Sequence, residues 1–160
     1  SGGGADIWNR ADAFRFVAQP LTGDGVLTAQ VLTLTPVDPW TKAGVMLRDG
    51  LAADARHAFC CVTPGNGVAF QRRMTVGGSS AHTAGPRRGA PTWVRLERST
   101  RTVTASSSSD GSAWASISSV TFTAGGTWRA GLALTSHAAG TIATATCDRV
   151  SVVQAPAVAQ

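Results

Sequence analysis

Residues able to do chemistry are few in this 160-residue chain, and their spacing excludes more than it offers. Glycoside hydrolysis normally takes two carboxylates flanking the scissile bond. Here Glu97 is the only glutamate, set beside Arg95 and Arg98 as an ion-pair member, and the aspartates fall mostly in turns. No Gly-x-Ser-x-Gly elbow occurs, which removes an α/β-hydrolase. His57, His82 and His137 could join Asp and Ser in a triad, since triads are defined by geometry, but no spacing favours one. Pro64-Gly65-Asn66-Gly67 contains Gly-x-Gly without the strand–loop–helix context that cradles phosphate. The expectation is a domain that is not itself an enzyme.

Metal chemistry is equally thin. Asp6 and Asp148 would meet if the terminal strands paired, and oxygen ligands in turns suit calcium. No dense D-x-[DN]-x-[DN]-G loop supports such a site, and turn or capping roles for these aspartates carry more weight. No cofactor is therefore called for, with a structural calcium as the one candidate. Cys60, Cys61 and Cys147 are odd in number and lack a CxxC element, so neither a full disulfide framework nor a zinc site is expected. Neighbours on a strand point to opposite faces, so Cys60 and Cys61 should not bond to each other. A bridge from one of them to Cys147 is sterically open, but small buried hydrophobes is the preferred role.

Binding chemistry fares better. A sugar presents hydroxyl edges and apolar ring faces, and a site for it combines planar hydrogen-bonding groups with a stacking aromatic. Each net hydrogen bond gives about 0.5–1.5 kcal/mol, so micromolar affinity takes several. Arg48, Gln71, Arg73, Trp93, Arg95 and His137 would meet that demand, and the arginines would also clasp carboxylated sugars. Trp8, Trp40 and Trp114 are assigned to core or edge-sealing roles, and Trp93 and Trp128 are left open. Lys and Arg number 14 against 9 Asp and Glu, a net charge of +5. All but one of the cations are arginine, spread from Arg10 to Arg149, with Arg72-Arg73 and Arg87-Arg88 the only dense pairs. A nucleic-acid binder would concentrate that charge and interleave it with aromatics, so no specific nucleic acid is expected.

The elements that must position these residues are strands. Only 14% of the residues are charged and 43% are hydrophobic, with Gly, Thr and Val abundant. No apolar run approaches the roughly 18 residues of a membrane span, and no 3.6-residue repeat lasts beyond about two turns. Ten β-like runs follow one another: 14–19, 26–34, 44–49, 57–63, 68–74, 92–98, 102–107, 114–119, 128–136 and 141–152. Gly, Pro, Asp and Asn punctuate them, and Asp110-Gly111 reads as a hairpin turn. Leu51–Arg56 is the one stretch that suits a helical turn.

The pattern predicts two antiparallel sheets packed face to face in an all-β sandwich. Alternation sends Val45, Leu47, Val68, Phe70, Val94, Leu96, Leu132 and Leu134 inward. It leaves Met46, Arg48, Gln71, Arg73, Trp93, Arg95, Ala133, Thr135 and His137 on the other parity. If those strands are neighbours in one sheet, Arg48, Gln71, Arg73, Trp93, Arg95 and His137 share a surface. Residues 1–4 and 155–160 have linker character, which bounds one domain at 5–154 and implies a longer parent polypeptide.

Several stretches carry a family resemblance: ADAFRFVAQPLTGDG (11–25), DPWTKAGVMLRDGLAADARHAF (38–59), TPGNGVAFQRR (63–73), SSSDGSAW (107–114) and GLALTSH (131–137). Together they resemble the concanavalin A-like domains of secreted bacterial proteins, similar to laminin G-like and lectin/glucanase jelly rolls. Lys42–Arg48 and Gly67–Arg73 are the most specific pieces. The resemblance implies a two-sheet jelly roll whose concave face holds glycan, with Arg48, Gln71, Arg73, Trp93 and His137 on family-matching strands. It departs from the family at Cys60, Cys61 and Cys147, and in serines that follow the Thr102 strand where tyrosines are frequent.

The function expected is that of a secreted, extracellular, monomeric carbohydrate-binding module. It would hold an attached catalytic domain near a neutral or acidic polysaccharide or oligosaccharide, raising the effective substrate concentration. A ligand-free structural spacer, a polysaccharide-degrading domain and a binder of acidic polymers are the competing readings.

Overall fold

The computed structural model describes residues 1–156. All the regular structure in it is β, in fifteen strands. In chain order they are β1 (Gly2–Gly4), β2 (Asp6–Trp8), β3 (Ala11–Ala13), β4 (Arg15–Thr22), β5 (Gly25–Leu34), β6 (Lys42–Arg48), β7 (His57–Thr63) and β8 (Gly67–Arg73). There follow β9 (Ser80–Ala84), β10 (Thr92–Ser99), β11 (Thr102–Ser108), β12 (Ala115–Thr121), β13 (Thr127–Thr135), β14 (Ala138–Ala143) and β15 (Ala145–Gln154).

Two open sheets dominate. One has five strands in the order β12-β11-β10-β5-β15; the other has six in the order β4-β13-β6-β7-β8-β9. Every pairing is antiparallel. The sheets face each other across one core: Leu27, Ala29, Val31, Val94, Leu96, Val103 and Ala105 come from the first. Val45, Leu47, Cys60, Val62, Val68, Phe70 and Leu134 come from the second. Val45, Leu47, Val68, Phe70, Val94, Leu96 and Leu134 are residues that period-two alternation sends inward, and Leu132, expected with them, packs half-buried against this core. Phe122 and Trp128 close one margin of the core edge-to-face, with ring centroids 4.8 Å apart.

Several local expectations change. Leu51–Arg56 forms a turn held by Ala55 N–H donating to Ala52 O, and not a helix. The run 141–152 is two strands, because β14 pairs with β1 while β15 pairs with β5 in the five-stranded sheet. Gly2–Gly4, expected as linker, is strand β1, with Gly2 buried. Of the expected C-terminal linker, Ala155 N–H bonds Asp24 O, and residues 157–160 lie outside the described residues. Asp110-Gly111 stands in a six-residue connection, where Asp110 Oδ1 accepts from the N–H groups of Ser112 and Ala113. Those donors hold its carboxyl well below the usual range.

Strands β2 and β3 form a small hairpin apart from both large sheets. It lies over the face of the six-stranded sheet that points away from the core. There Ile7 packs with Met46, Phe59, Cys61, Ala69 and Ala133 in a second apolar cluster. Strands β6, β7 and β8 are therefore buried on both faces, as their near-continuous burial shows.

Candidate ligand-binding site

The face under the β2–β3 hairpin carries three chemistries. Lys42 and Arg48 bound β6, six residue steps and roughly 20 Å apart. An ion cluster surrounds Arg48, the apolar patch around Met46 fills the middle, and a cavity opens beside Lys42.

The ion cluster is closed. Asp12, on β3, accepts from Arg48 Nη1 at 2.6 Å, from Arg73 Nη1 at 2.7 Å and from Arg73 Nη2 at 2.7 Å. Other guanidinium donors are engaged by backbone carbonyls. Arg48 Nη2 bonds the carbonyls of Ala52 and Ala53, and Arg73 Nη2 bonds those of Trp8 and Asn9. Asn9 makes the hairpin turn at φ 49°, a conformation its short polar side chain tolerates. Burial alone would raise the Asp12 carboxyl, but the hydrogen bonds from Arg73 and Arg48 outweigh it and the pKa falls. His57 Nδ1 lies 3.5 Å from the same carboxylate. Burial, aided by the two guanidinium charges, brings its pKa down to about 3, so the ring is neutral. Arg48 is 1% exposed and Arg73 fully buried, which corrects the expectation that they line an open face. Their parity is the expected one. The β2–β3 hairpin closes over it.

The cavity measures about 350 Å³ and is lined by Asp6, Trp8, Trp40, Lys42, Gln71, His82 and His137. Lys42 Nζ anchors it, 2.7 Å from Asp6 Oδ1 and 3.0 Å from Ile7 O. The same ammonium lies 5.6 Å from the Trp8 ring and 5.7 Å from the Trp40 ring, so cation–π attraction sets both indoles about it. His137 follows β13 at φ 60°, a strained conformation for a non-glycine residue. Its Nε2 is 3.2 Å from Asp6 Oδ2 and its Nδ1 3.0 Å from Asp38 Oδ1, the latter off the hydrogen-bond direction.

Gln71 supplies the polar floor. Its Nε2 lies 3.3 Å from His82 Nδ1, and its Oε1 is buried without a partner. With the amide nitrogen donating, His82 Nδ1 is the acceptor and the ring proton sits on Nε2. Burial, with the nearby charges of Lys42 and Arg72, lowers the His82 pKa and keeps that neutral form. The Trp40 and His82 rings meet edge to face, with centroids 5.6 Å apart.

Of the six residues expected to share a surface, the structure brings Gln71 and His137 together in this cavity. Arg48 and Arg73 are in the ion cluster. Trp93 and Arg95 belong to β10 in the other sheet, so the assumed strand adjacency does not hold for them. They occupy that sheet's outer face, with Arg95 stacked 4.1 Å from the centroid of the Trp114 ring. Trp93 lies against Gly111, where a Cβ would come within 2.7 Å of the indole. Asp6 and Asp148, weighed as calcium ligands, sit in different sheets. Asp6 is committed to Lys42, and Asp148, on β15, stands opposite Gln30 of β5.

Trp8, Trp40, Lys42, Asp6 and His82 were not selected as a site from the sequence. Trp8 and Trp40 flank runs that match no strand template. The only signal was the concentration of the lone lysine and a tryptophan within three residues at Trp40-Thr41-Lys42.

No family model matches the chain, and no curated protein does. Solved structures share its fold. A functionally unknown protein from Saccharomyces cerevisiae superposes with a TM-score of 0.77 at 16% identity, over 95% of this chain and 84% of that one. The GH43 protein BlXynB from Bacillus licheniformis superposes with a TM-score of 0.58 at 11% identity, and a mutant of it with 0.60. Those matches cover 82% of this chain but only 27% of the GH43 chain. At such identities the likeness is one of fold.

Proposed function

We propose that the protein is a non-catalytic carbohydrate-binding module built on a concanavalin A-like jelly-roll sandwich. In this reading it holds an attached secreted enzyme near a polysaccharide. The observation that carries the reading is the half-open cavity between Trp8 and Trp40, floored by an acceptor and a donor with no other work. The unpaired Gln71 Oε1 takes a hydroxyl proton, and His82 Nε2–H gives one to the neighbouring hydroxyl oxygen. A vicinal diol satisfies both, while the indoles offer apolar faces to the ring. Filling the cavity also relieves the cost of a buried unpaired amide oxygen, about 1–3 kcal/mol.

The ligand class expected is a neutral sugar. Lys42 is compensated by Asp6, and His137 stands between two carboxylates, so the cavity holds no spare positive charge for an acid. This revises the acidic ligand that an arginine-lined groove would favour. The fold likeness to about a quarter of a GH43 protein is in keeping with a module attached to a larger chain.

Binding is tested on the purified chain by glycan array and insoluble-polysaccharide pull-down, followed by calorimetry on the best ligand. Trp8→Ala and Trp40→Ala should each weaken it roughly 10- to 100-fold, in keeping with loss of an aromatic anchor. The far-ultraviolet spectrum should not change. Absence of any glycan ligand, or affinity indifferent to both variants, would refute the reading; release of sugar product by the chain would replace it with an enzymatic one.

A further inference from the structure

A second cavity, of about 160 Å³, lies where the β7–β8 turn meets the β9–β10 connection. Its walls are Gly65, Asn66 and Gly67 on one side and Arg87, Arg88 and Gly89 on the other. These are the Gly-x-Gly turn and the arginine pair that stand apart in the sequence. The fold joins them through backbone: Val68 N–H bonds Pro86 O at 2.9 Å, and Gly85 N–H bonds Val68 O at 2.8 Å. Gly67, at φ +72°, permits this approach, since a Cβ there would lie 2.6 Å from Pro86 O and 2.8 Å from Arg87 Cα. The turn is braced from behind as well. Gly65 N–H and Asn66 Nδ2 both donate to Pro39 O at 3.1 Å, and Asn66 N–H donates to Thr63 Oγ1.

The electrostatics of this cavity are unbalanced. No carboxylate lines it, and among the described residues neither Arg87 nor Arg88 enters an ion pair. Arg88 Nη1 is shielded from solvent and has no hydrogen-bond partner, an uncommon state for a charged donor. Guanidinium groups match tetrahedral oxyanions in charge and in the fork of their N–H donors. We propose that this cavity is a binding site for sulfate or phosphate, either as the free ion or as an ester group on a polymer. Arg88 and Arg87 supply the two charges, and the glycine turn, packed on residues 86–88, forms the opposite wall. The site is separate from the Trp8–Trp40 cavity and stands or falls without it.

The test is a titration of the isotopically labelled chain with sodium sulfate and, separately, sodium phosphate, followed by amide resonances at ionic strength held constant with sodium chloride. Saturable shifts confined to Gly65, Gly67, Arg88 and Gly89 are expected. Arg88→Gln should weaken binding at least tenfold, and Arg88→Lys should retain part of it. Arg87→Gln, at an exposed position, gives an independent loss if Arg88→Gln disturbs the fold. Dextran sulfate against dextran separates the sources: competition by the sulfated polymer alone assigns the site to an ester group, and no competition assigns it to the free ion. Shifts that stay linear to the highest concentration, that chloride reproduces, or that survive in both Gln variants would overturn the proposal.

Discussion

Asp12 ties the β2–β3 hairpin to the six-stranded sheet. Its carboxylate draws Arg48 and Arg73 from two strands of one sheet to the hairpin above them. Removing either guanidinium would leave a buried, underpaired charge, which is why such clusters are costly to break even where they add little as a whole. Beside them His57 is kept neutral, and this has a consequence for acid stability. Its pKa is about 3 in the folded chain against about 6.5 unfolded. The unfolded chain therefore takes up a proton that the folded one refuses. Stability is full above about pH 6.5 and falls with acid by up to about 1.4 kcal/mol per pH unit until pH 3. Asp12, whose folded pKa is depressed, adds its own loss below the ordinary carboxylate range, in the same direction. Urea midpoints measured from pH 7 to pH 4 should decline steadily, and His57→Gln should flatten that decline. A midpoint equally steep in the variant would show that His57 is not the group responsible.

Among the elements, the β2–β3 hairpin is the one on which both the cluster and the cavity depend. It is short, three residues on each strand, and only Ile7 enters the second apolar cluster from it. Arg73 grips the carbonyl of Trp8, so the hairpin's seating fixes one wall of the cavity. Ile7→Ala should cost about 2–4 kcal/mol by emptying a packed position. It should also weaken glycan binding while Trp40 keeps its place, so that stability and affinity fall together. Chemical denaturation with calorimetry checks this, and full affinity in a destabilised variant would separate the two.

The same hairpin marks where the sequence stops being legible. Strands with a sustained alternation, β5 through β8, β10, β11 and β13, are visible from period two, and on β6, β8, β10 and β13 so is which parity meets the core. The three-residue strands Gly2–Gly4, Asp6–Trp8 and Ala11–Ala13 have no alternation long enough to detect, and β9 is a run of small and polar residues. Parity told correctly that Arg48, Gln71 and Arg73 leave the core. It carried no information on what covers them, because that depends on a segment 36 to 61 residues distant in sequence.

At the scale of the whole molecule, two sheets and one covering hairpin produce two outer faces with different equipment. The six-stranded sheet carries the covered face with its cavity, and the five-stranded sheet carries Trp93 and the Arg95–Trp114 stack. Stacked sheets lie about 10 Å apart, so a ligand held by Trp8 and Trp40 cannot touch Trp93. Trp93→Ala should accordingly leave affinity at the cavity within about twofold of the parent. Calorimetry with the best glycan decides it, and a loss comparable to that of Trp40→Ala would move the binding face to the five-stranded sheet. The net charge of +5 is likewise unevenly used: the cavity's Lys42 is compensated by Asp6, whereas among the described residues Arg87 and Arg88 enter no ion pair.

Adjacent thiols facing opposite ways give this molecule an internal gauge. Cys60 lies in the core between the sheets and Cys61 in the cluster beneath the hairpin, and burial raises the pKa of both, that of Cys61 to about 12. A thiol reagent reaches Cys61 when the hairpin lifts and Cys60 only when the sheets part. The order in which one peptide acquires its two labels is thus a clock for which layer opens first.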